Sequence, residues 1–119
     1  MENSSDALLL RIFISSTDMV NHEIVYETIV FKAKQKGLAG ATVFKGILGF
    51  GASSVIHSYK FWEVTEKLPV VVEIMDEEQK VKDFYEEIRP LLESMRYGCI
   101  VTSEKVDVLF YKPGQKKIL

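Results

Sequence analysis

From Leu8 to Ile14 the side chains alternate, with Leu8, Leu10, Ile12 and Ile14 on one face and Leu9, Arg11 and Phe13 on the other. That period of two predicts a strand with one buried face. The polar run Ser15-Ser16-Thr17-Asp18 ends it. Val25, Tyr26, Ile29, Val30 and Ala33 then recur at helical spacing, which predicts a first helix with Asn21 as its N-cap and Gly37 as its left-handed stop. Lys32, Lys34 and Lys36 crowd the last turn of that helix, where the dipole favours them. A second strand is predicted over Ala41–Leu48, and Gly46, Gly49 and Gly51 mark backbone that turns sharply or lets another group come close.

Val55–Trp62 reads as the returning arm of a loop, and Leu68–Met75 as a nearly continuous apolar third strand, central in its sheet. Asp76 and Gln79 have the spacing of a capping box. Val81, Phe84, Tyr85, Ile88, Leu92 and Met95 predict a second helix from about Glu77 to Met95, kinked or rewound near Pro90. Two short strands, Cys99–Thr102 and Val106–Tyr111, joined at Ser103-Glu104-Lys105, complete the pattern before a frayed basic tail, Lys112–Leu119. Strand, helix, strand, strand, helix, strand is the split βαβ order of an α+β, ferredoxin-like fold. The expected domain is single, residues 1–119 with a folded part of about 8–111: an antiparallel sheet, two helices on one face and an extra short C-terminal strand. The other sheet face, with Leu9 and Phe13, is left apolar and uncovered, which predicts an oligomer.

Composition narrows the function. With 15 basic and 17 acidic residues the chain of 119 carries a formal net charge of −2, which removes the footprint of a duplex-DNA binder, so no nucleic-acid partner is expected. Cys99 is the lone cysteine and His22 and His57 the only histidines, so a Cys/His metal site is close to excluded and a reducing cytoplasm fits best. The acidic N-terminus is unlike a secretory signal, and no apolar run is long enough for a membrane span. Neither a Gly-x-Ser-x-Gly elbow, a Walker loop nor a Gly-x-Gly-x-x-Gly fingerprint occurs. No catalytic residue, no metal and no required cofactor are expected, and the protein reads as a non-enzyme.

The segment Gly40-Ala41-Thr42-Val43-Phe44-Lys45-Gly46-Ile47-Leu48-Gly49-Phe50-Gly51, followed by Ile56-His57 and by Leu68-Pro69-Val70-Val71-Val72-Glu73, resembles the PII-like signalling proteins. It is most similar to a divergent PII-like group, domain-of-unknown-function family 190, over about residues 8 to 111. The resemblance implies a homotrimer that binds an adenine nucleotide (AMP, ADP or ATP) in clefts between subunits. It also implies a mobile loop, Gly51 to Trp62 here, that reports occupancy to a partner protein such as a membrane transporter or channel. On this resemblance Thr42 matches the strand threonine near the loop base, Gly49-Phe50-Gly51 the segment whose backbone approaches the ligand, and Gly98 a phosphate-contacting glycine after the second helix. Lys45, Gly46 and His57 join them as candidate nucleotide-binding residues.

Departures from the family pattern matter as much. The Arg-Gln pair after Gly-Phe-Gly is Ala52-Ser53, a later lysine is Cys99, and the arginines near the chain end are absent around Leu109, Phe110 and Tyr111. With few cations to offset each added phosphate, AMP is expected ahead of ADP and ATP. Taken alone, the glycines fit a bulge as well as ligand approach, His57 a hydrogen-bonded structural histidine, Phe50 simple packing and Thr42 strand propensity. A small ferredoxin-like enzyme is the alternative reading, but it needs an Arg/Asn loop where Ser15-Ser16-Thr17-Asp18 stands. An RNA-recognition domain would need aromatics where Val70-Val71-Val72 stands.

Overall fold

The computed structural model describes residues 6–51, 57–58 and 67–115. Along the chain come β1 (Ala7–Ser15), β2 (Met19–Val20), β3 (Glu23–Ile24), α1 (Val25–Gln35), β4 (Gly40–Lys45), β5 (Leu48–Gly49), β6 (His57–Ser58), β7 (Pro69–Glu77), α2 (Glu78–Glu93) and β8 (Ile100–Val106). The main sheet has the order β4-β7-β1-β8, antiparallel throughout. This is the ferredoxin-like α+β arrangement. Alternation on β1 and β7 sends Leu8, Leu10, Ile12 and Ile14 with Val70, Val72 and Ile74 to one face. There they meet Val25, Ile29 and Ala33 of α1 and Val81, Phe84, Ile88 and Leu92 of α2. Each of these larger apolar side chains contributes about 1.5–3 kcal/mol by burial.

Local signals gave way to tertiary ones in several places. Asn21 does not cap the first helix as its sequence position predicts. Asn21 (φ 53°) and His22 (φ 66°) form the two-residue turn between β2 and β3, in which Val20 faces Glu23. Left-handed backbone at both central positions matches the right-handed strand twist, and Asn tolerates it well. α1 therefore begins at Val25, whose N–H donates to the Asp18 carbonyl at 2.9 Å. Its far end follows expectation: Gly37 is left-handed (φ 79°), its N–H donates to Lys34 O at 3.0 Å, and Leu38 N–H donates to Ala33 O at 3.1 Å. These two bonds are the Schellman pattern.

Asp76 does not cap α2 either. It is the penultimate residue of β7, 2% exposed, and its carboxylate accepts from Ala39 N at 2.9 Å and Glu77 N at 2.6 Å. Gln79 instead donates to Asp83 Oδ1 at 2.9 Å. α2 continues as helix through Pro90 without rewinding, because the ring removes only one hydrogen bond close to the end, where Ser94 N–H reaches the Pro90 and Leu91 carbonyls. The expected pair of C-terminal strands is one strand, β8, and the extra short strand over Val106–Tyr111 is not formed; residues 107–115 have no regular structure. Ser103-Glu104-Lys105 look like a turn by polarity. They lie on an edge strand, where little is buried and polar residues cost nothing. The second strand stops at Lys45 rather than Leu48, and the chain restarts as β5, which pairs with β6. His57–Ser58 is the described part of the returning arm; the rest of Val55–Trp62, with Ala52–Ser54, lies outside the described residues.

The face without helices is ordered in rows set by the strand register. Phe44, Val71, Phe13 and Ile100 form one apolar row, with Phe44 52% and Ile100 48% exposed. The next row is Thr42, Glu73, Arg11 and Thr102. Arg11 donates to Glu73 at 2.9 Å and to Glu104 at 2.6 Å, which holds its guanidinium pKa above the ordinary value.

Candidate functional site

At the end of β1 the chain must leave the sheet, and Ser15-Ser16-Thr17-Asp18 satisfies its own backbone in doing so. Asp18, 5% exposed, accepts from Ser15 N at 2.7 Å, while its own N–H donates to Ser15 O at 3.2 Å. Ser16 extends the β1–β7 pairing past the ladder: its N–H donates to Leu68 O at 2.9 Å and its hydroxyl accepts from Leu68 N at 3.0 Å. This turn stands beside the connection from α2 to β8 and the start of β7. A cleft of about 210 Å³ opens among them.

The floor of the cleft is apolar, from Phe13, Val71 and Ile100 of the helix-free face, with Pro69 at the start of β7. Its rim carries Lys67, Tyr97 and Gly98, the buried Asp18 lines its wall, and Phe50 and Gly51 approach from the β5 side. The Tyr97 ring lies 5.4 Å from both Lys67 Nζ and the Arg96 guanidinium carbon, close enough for cation–π attraction to hold two positive charges at the mouth. Among the described lining residues the charged side chains are Asp18 and Lys67, and with Arg96 held at the mouth by Tyr97 the cleft and its mouth carry one positive charge in excess. Cys99 adjoins this rim, and burial, with the Asp18 charge adding to it, pushes its thiol pKa above the usual range.

That shift has a measurable consequence. A thiol whose folded pKa is raised binds its proton more tightly than in the unfolded chain, so its contribution to stability is present below the unfolded value and is lost as pH rises through the folded one. Near pH 8, Cys99 is expected to alkylate more slowly than free cysteine, because less of it is thiolate. Equal rates in native protein and in denaturant would overturn this.

Of the residues chosen from sequence, Phe50, Gly51 and Gly98 meet in the cleft. Gly46 and Gly49 do not line it but stand behind it against Pro69: a Cβ at Gly46 would come to 2.8 Å from Pro69 Cγ, and one at Gly49 to 3.3 Å. Their glycine requirement is met by this packing. Thr42 is exposed in the Arg11 row of the helix-free face, and Lys45 is exposed at the end of β4. His57 pairs with Gly49 through the backbone of β6, and its side chain lies outside the described residues. The sequence reading missed Asp18, Lys67 and Tyr97. A polar run of Ser and Thr ending in Asp directly after a strand was the available signal for Asp18, since such residues fold back onto their own backbone. Nothing local marks Lys67 or Tyr97. Among the described residues no cluster of metal-ligating side chains is present, and no helix is long and apolar enough to cross a membrane.

The fold matches solved structures of CPII, a nitrogen regulatory PII-like protein from Thiomonas intermedia K12. One, bound to ADP, AMP and bicarbonate, has a TM-score of 0.58 and 17% identity, covering 85% of this chain and 88% of that one. A second, bound to ADP, AMP and acetate, has a TM-score of 0.60 and 16% identity, covering 86% and 87%. At that identity the likeness establishes a PII-like fold. Sequence relatives reach further. A UPF0166 protein of Aquifex aeolicus (strain VF5) is 40% identical over 102 residues, 86% of this chain and 92% of its own. Another UPF0166 protein, from Methanocaldococcus jannaschii, is 33% identical over 75 residues, 63% of this chain and 68% of its own. The family model described as "Uncharacterized ACR" matches residues 7–108, from the start of β1 to just past β8, and so takes in the sheet, both helices and the cleft. The chain belongs to that family, DUF190.

Proposed function

We propose that the protein is a non-enzymatic, cytoplasmic PII-like regulator that binds an adenine nucleotide, AMP in preference to ADP and ATP, and reports its occupancy to a partner protein. One observation carries the reading: Phe50, Gly51 and Gly98, from segments far apart in the chain, converge on one cleft. CPII, on the same fold, is bound to ADP and AMP, which supports an adenine nucleotide as the ligand class. The cleft offers an aromatic and apolar interior suited to a base, and glycine backbone with one lysine suited to a phosphate. Asp18 inside the same cleft opposes further negative charge, which favours the nucleotide with the fewest phosphates.

The working assembly in this reading is a homotrimer built on the helix-free face. The apolar row Phe44, Val71, Phe13 and Ile100 runs from that face into the cleft floor, so a neighbouring subunit covering the row also walls the cleft. Gly51, at the cleft, begins the loop that a partner, a membrane transporter or channel, would read. Light scattering after size exclusion should report three times the 13.6 kDa chain. Calorimetric titration should show affinity falling from AMP through ADP to ATP. A concentration-independent monomer overturns the shared cleft, affinity rising with phosphate number overturns the AMP preference, and no heat with any of the three overturns the ligand class.

A further inference from the structure

We infer that Lys67 and Arg96, gathered on the Tyr97 ring, form a two-cation clamp that selects a terminal phosphate monoester over a phosphodiester or a bare nucleoside. Such a clamp rests on the nucleotide reading of the cleft and deepens it, by assigning the side chains that read the phosphate end of the ligand. The chain has three arginines. Arg11 is tied to Glu73 at 2.9 Å and to Glu104 at 2.6 Å, and Arg89 to Glu93 at 2.8 Å. Arg96 has no carboxylate partner among the described residues, and its guanidinium carbon stands 5.4 Å from the Tyr97 ring. Lys67, likewise without a carboxylate among the described residues, places its Nζ 5.4 Å from the same ring. Two like charges around one exposed ring repel each other, and cation–π attraction offsets that only in part. An anion shared between them removes the repulsion.

The backbone brings the two cations to one place from segments far apart in the chain. Lys67 precedes Leu68, whose N–H donates to Ser16 Oγ at 3.0 Å and whose carbonyl accepts from Ser16 N–H at 2.9 Å. Arg96 follows the closing turn of α2, where Met95 N–H donates to Leu92 O at 3.2 Å. Tyr97 and Gly98 come next, on the cleft rim. Contact with a ring face uses no N–H donor, so the Arg96 fork and the Lys67 ammonium keep theirs for a ligand. A terminal phosphate monoester carries about −1.5 to −2 charge at neutral pH and three free oxygens, which match two cations and leave an acceptor for glycine backbone. A phosphodiester offers one charge and two free oxygens, and a nucleoside neither. Asp18, 5% exposed and accepting from Ser15 N–H at 2.7 Å, lies in the wall and leaves the mouth to the cations.

Titration of the full chain with adenosine, AMP and 3′,5′-cyclic AMP tests the clamp. AMP should bind about tenfold or more tightly than cyclic AMP. Lys67→Gln and Arg96→Gln should each cost AMP about tenfold, the loss of one charge-assisted hydrogen bond, and move adenosine and cyclic AMP far less. Tyr97→Leu removes the ring that positions both cations and should weaken AMP alike, whereas Tyr97→Phe keeps the ring and should bind AMP as the parent does. Equal affinity of the parent for AMP and cyclic AMP, or a fall common to all three ligands in the variants, overturns the clamp. All three side chains are exposed, so folding is not at stake, and circular dichroism checks that. Inorganic phosphate separates the clamp from the nucleotide reading: it should raise the melting temperature of the parent but not of the protein carrying both Lys67→Gln and Arg96→Gln. That result without binding of any adenosine compound leaves the clamp standing and removes the adenine nucleotide. Adenosine and AMP bound alike, with phosphate acting equally on parent and variant or on neither, keeps the adenine site and overturns the clamp.

Discussion

Asp76→Ala is expected to destabilise the fold by about 3–5 kcal/mol, because it deletes the two charge-assisted hydrogen bonds of a buried carboxylate and leaves both backbone donors without that acceptor. Asp76 is 2% exposed and its carboxylate spans two junctions: Ala39 N–H, between α1 and β4, donates at 2.9 Å, and Glu77 N–H, at the end of β7 just before α2, donates at 2.6 Å. The adjoining Glu78 N–H is already taken by Asp6 O at 2.8 Å and cannot reorganise to help. Asp76→Asn keeps one acceptor oxygen but turns its NH₂ toward the other donor, so it should recover only part of the loss. In thermal unfolding the alanine variant should melt lower by roughly 10 °C or more. A loss below about 1 kcal/mol would mean that water reaches these donors and that the residue is not a tie between the two junctions.

The same residue shows why part of this fold was legible in the sequence and part was not. β1, β7 and the apolar stripe of α2 were legible because each buries one regular face over two or more turns or pleats, and the period survives whatever surrounds it. Caps are decided by a single side chain. Asp76 and Gln79 match a capping box over four residues, but the Asp76 oxygens go to Ala39, 37 positions away, and to the next residue. Asn21 has the chemistry of an N-cap and of a left-handed turn alike, and the two-residue register Val20–Glu23 selected the turn. In the cleft, Phe50, Gly51 and Gly98 were visible because a family pattern names them. Asp18, Lys67 and Tyr97 meet only because the order β4-β7-β1-β8 sets the end of β1 beside the start of both its neighbours. No window of sequence contains that adjacency.

Gly46 and Gly51 separate packing from ligand contact, and their replacements are expected to fail in different ways. Gly46 N–H donates to Pro69 O at 2.7 Å, and a Cβ there would stand 2.8 Å from Pro69 Cγ, closer than real carbon contacts allow. The proline ring cannot swing aside, since its strand is paired on both flanks, with β4 and with β1. Gly46→Val must therefore lift the end of β4 off β7. The steric cost is about 1–3 kcal/mol, with about 1 kcal/mol more if the hydrogen bond breaks. Gly49 rests on the same ring, so the displacement carries into Phe50 and Gly51, and AMP affinity should drop by about tenfold or more alongside stability. Gly51 is the opposite case: nothing lies within 4 Å of its added Cβ, so Gly51→Ala should leave stability within about 0.5 kcal/mol of the parent. Its methyl group adds a side chain where bare glycine backbone lines the cleft, so AMP binding should weaken while the melting temperature stays put. A Gly46→Val protein as stable as the parent would refute the Pro69 contact, and parental AMP affinity in Gly51→Ala would take Gly51 out of the nucleotide site.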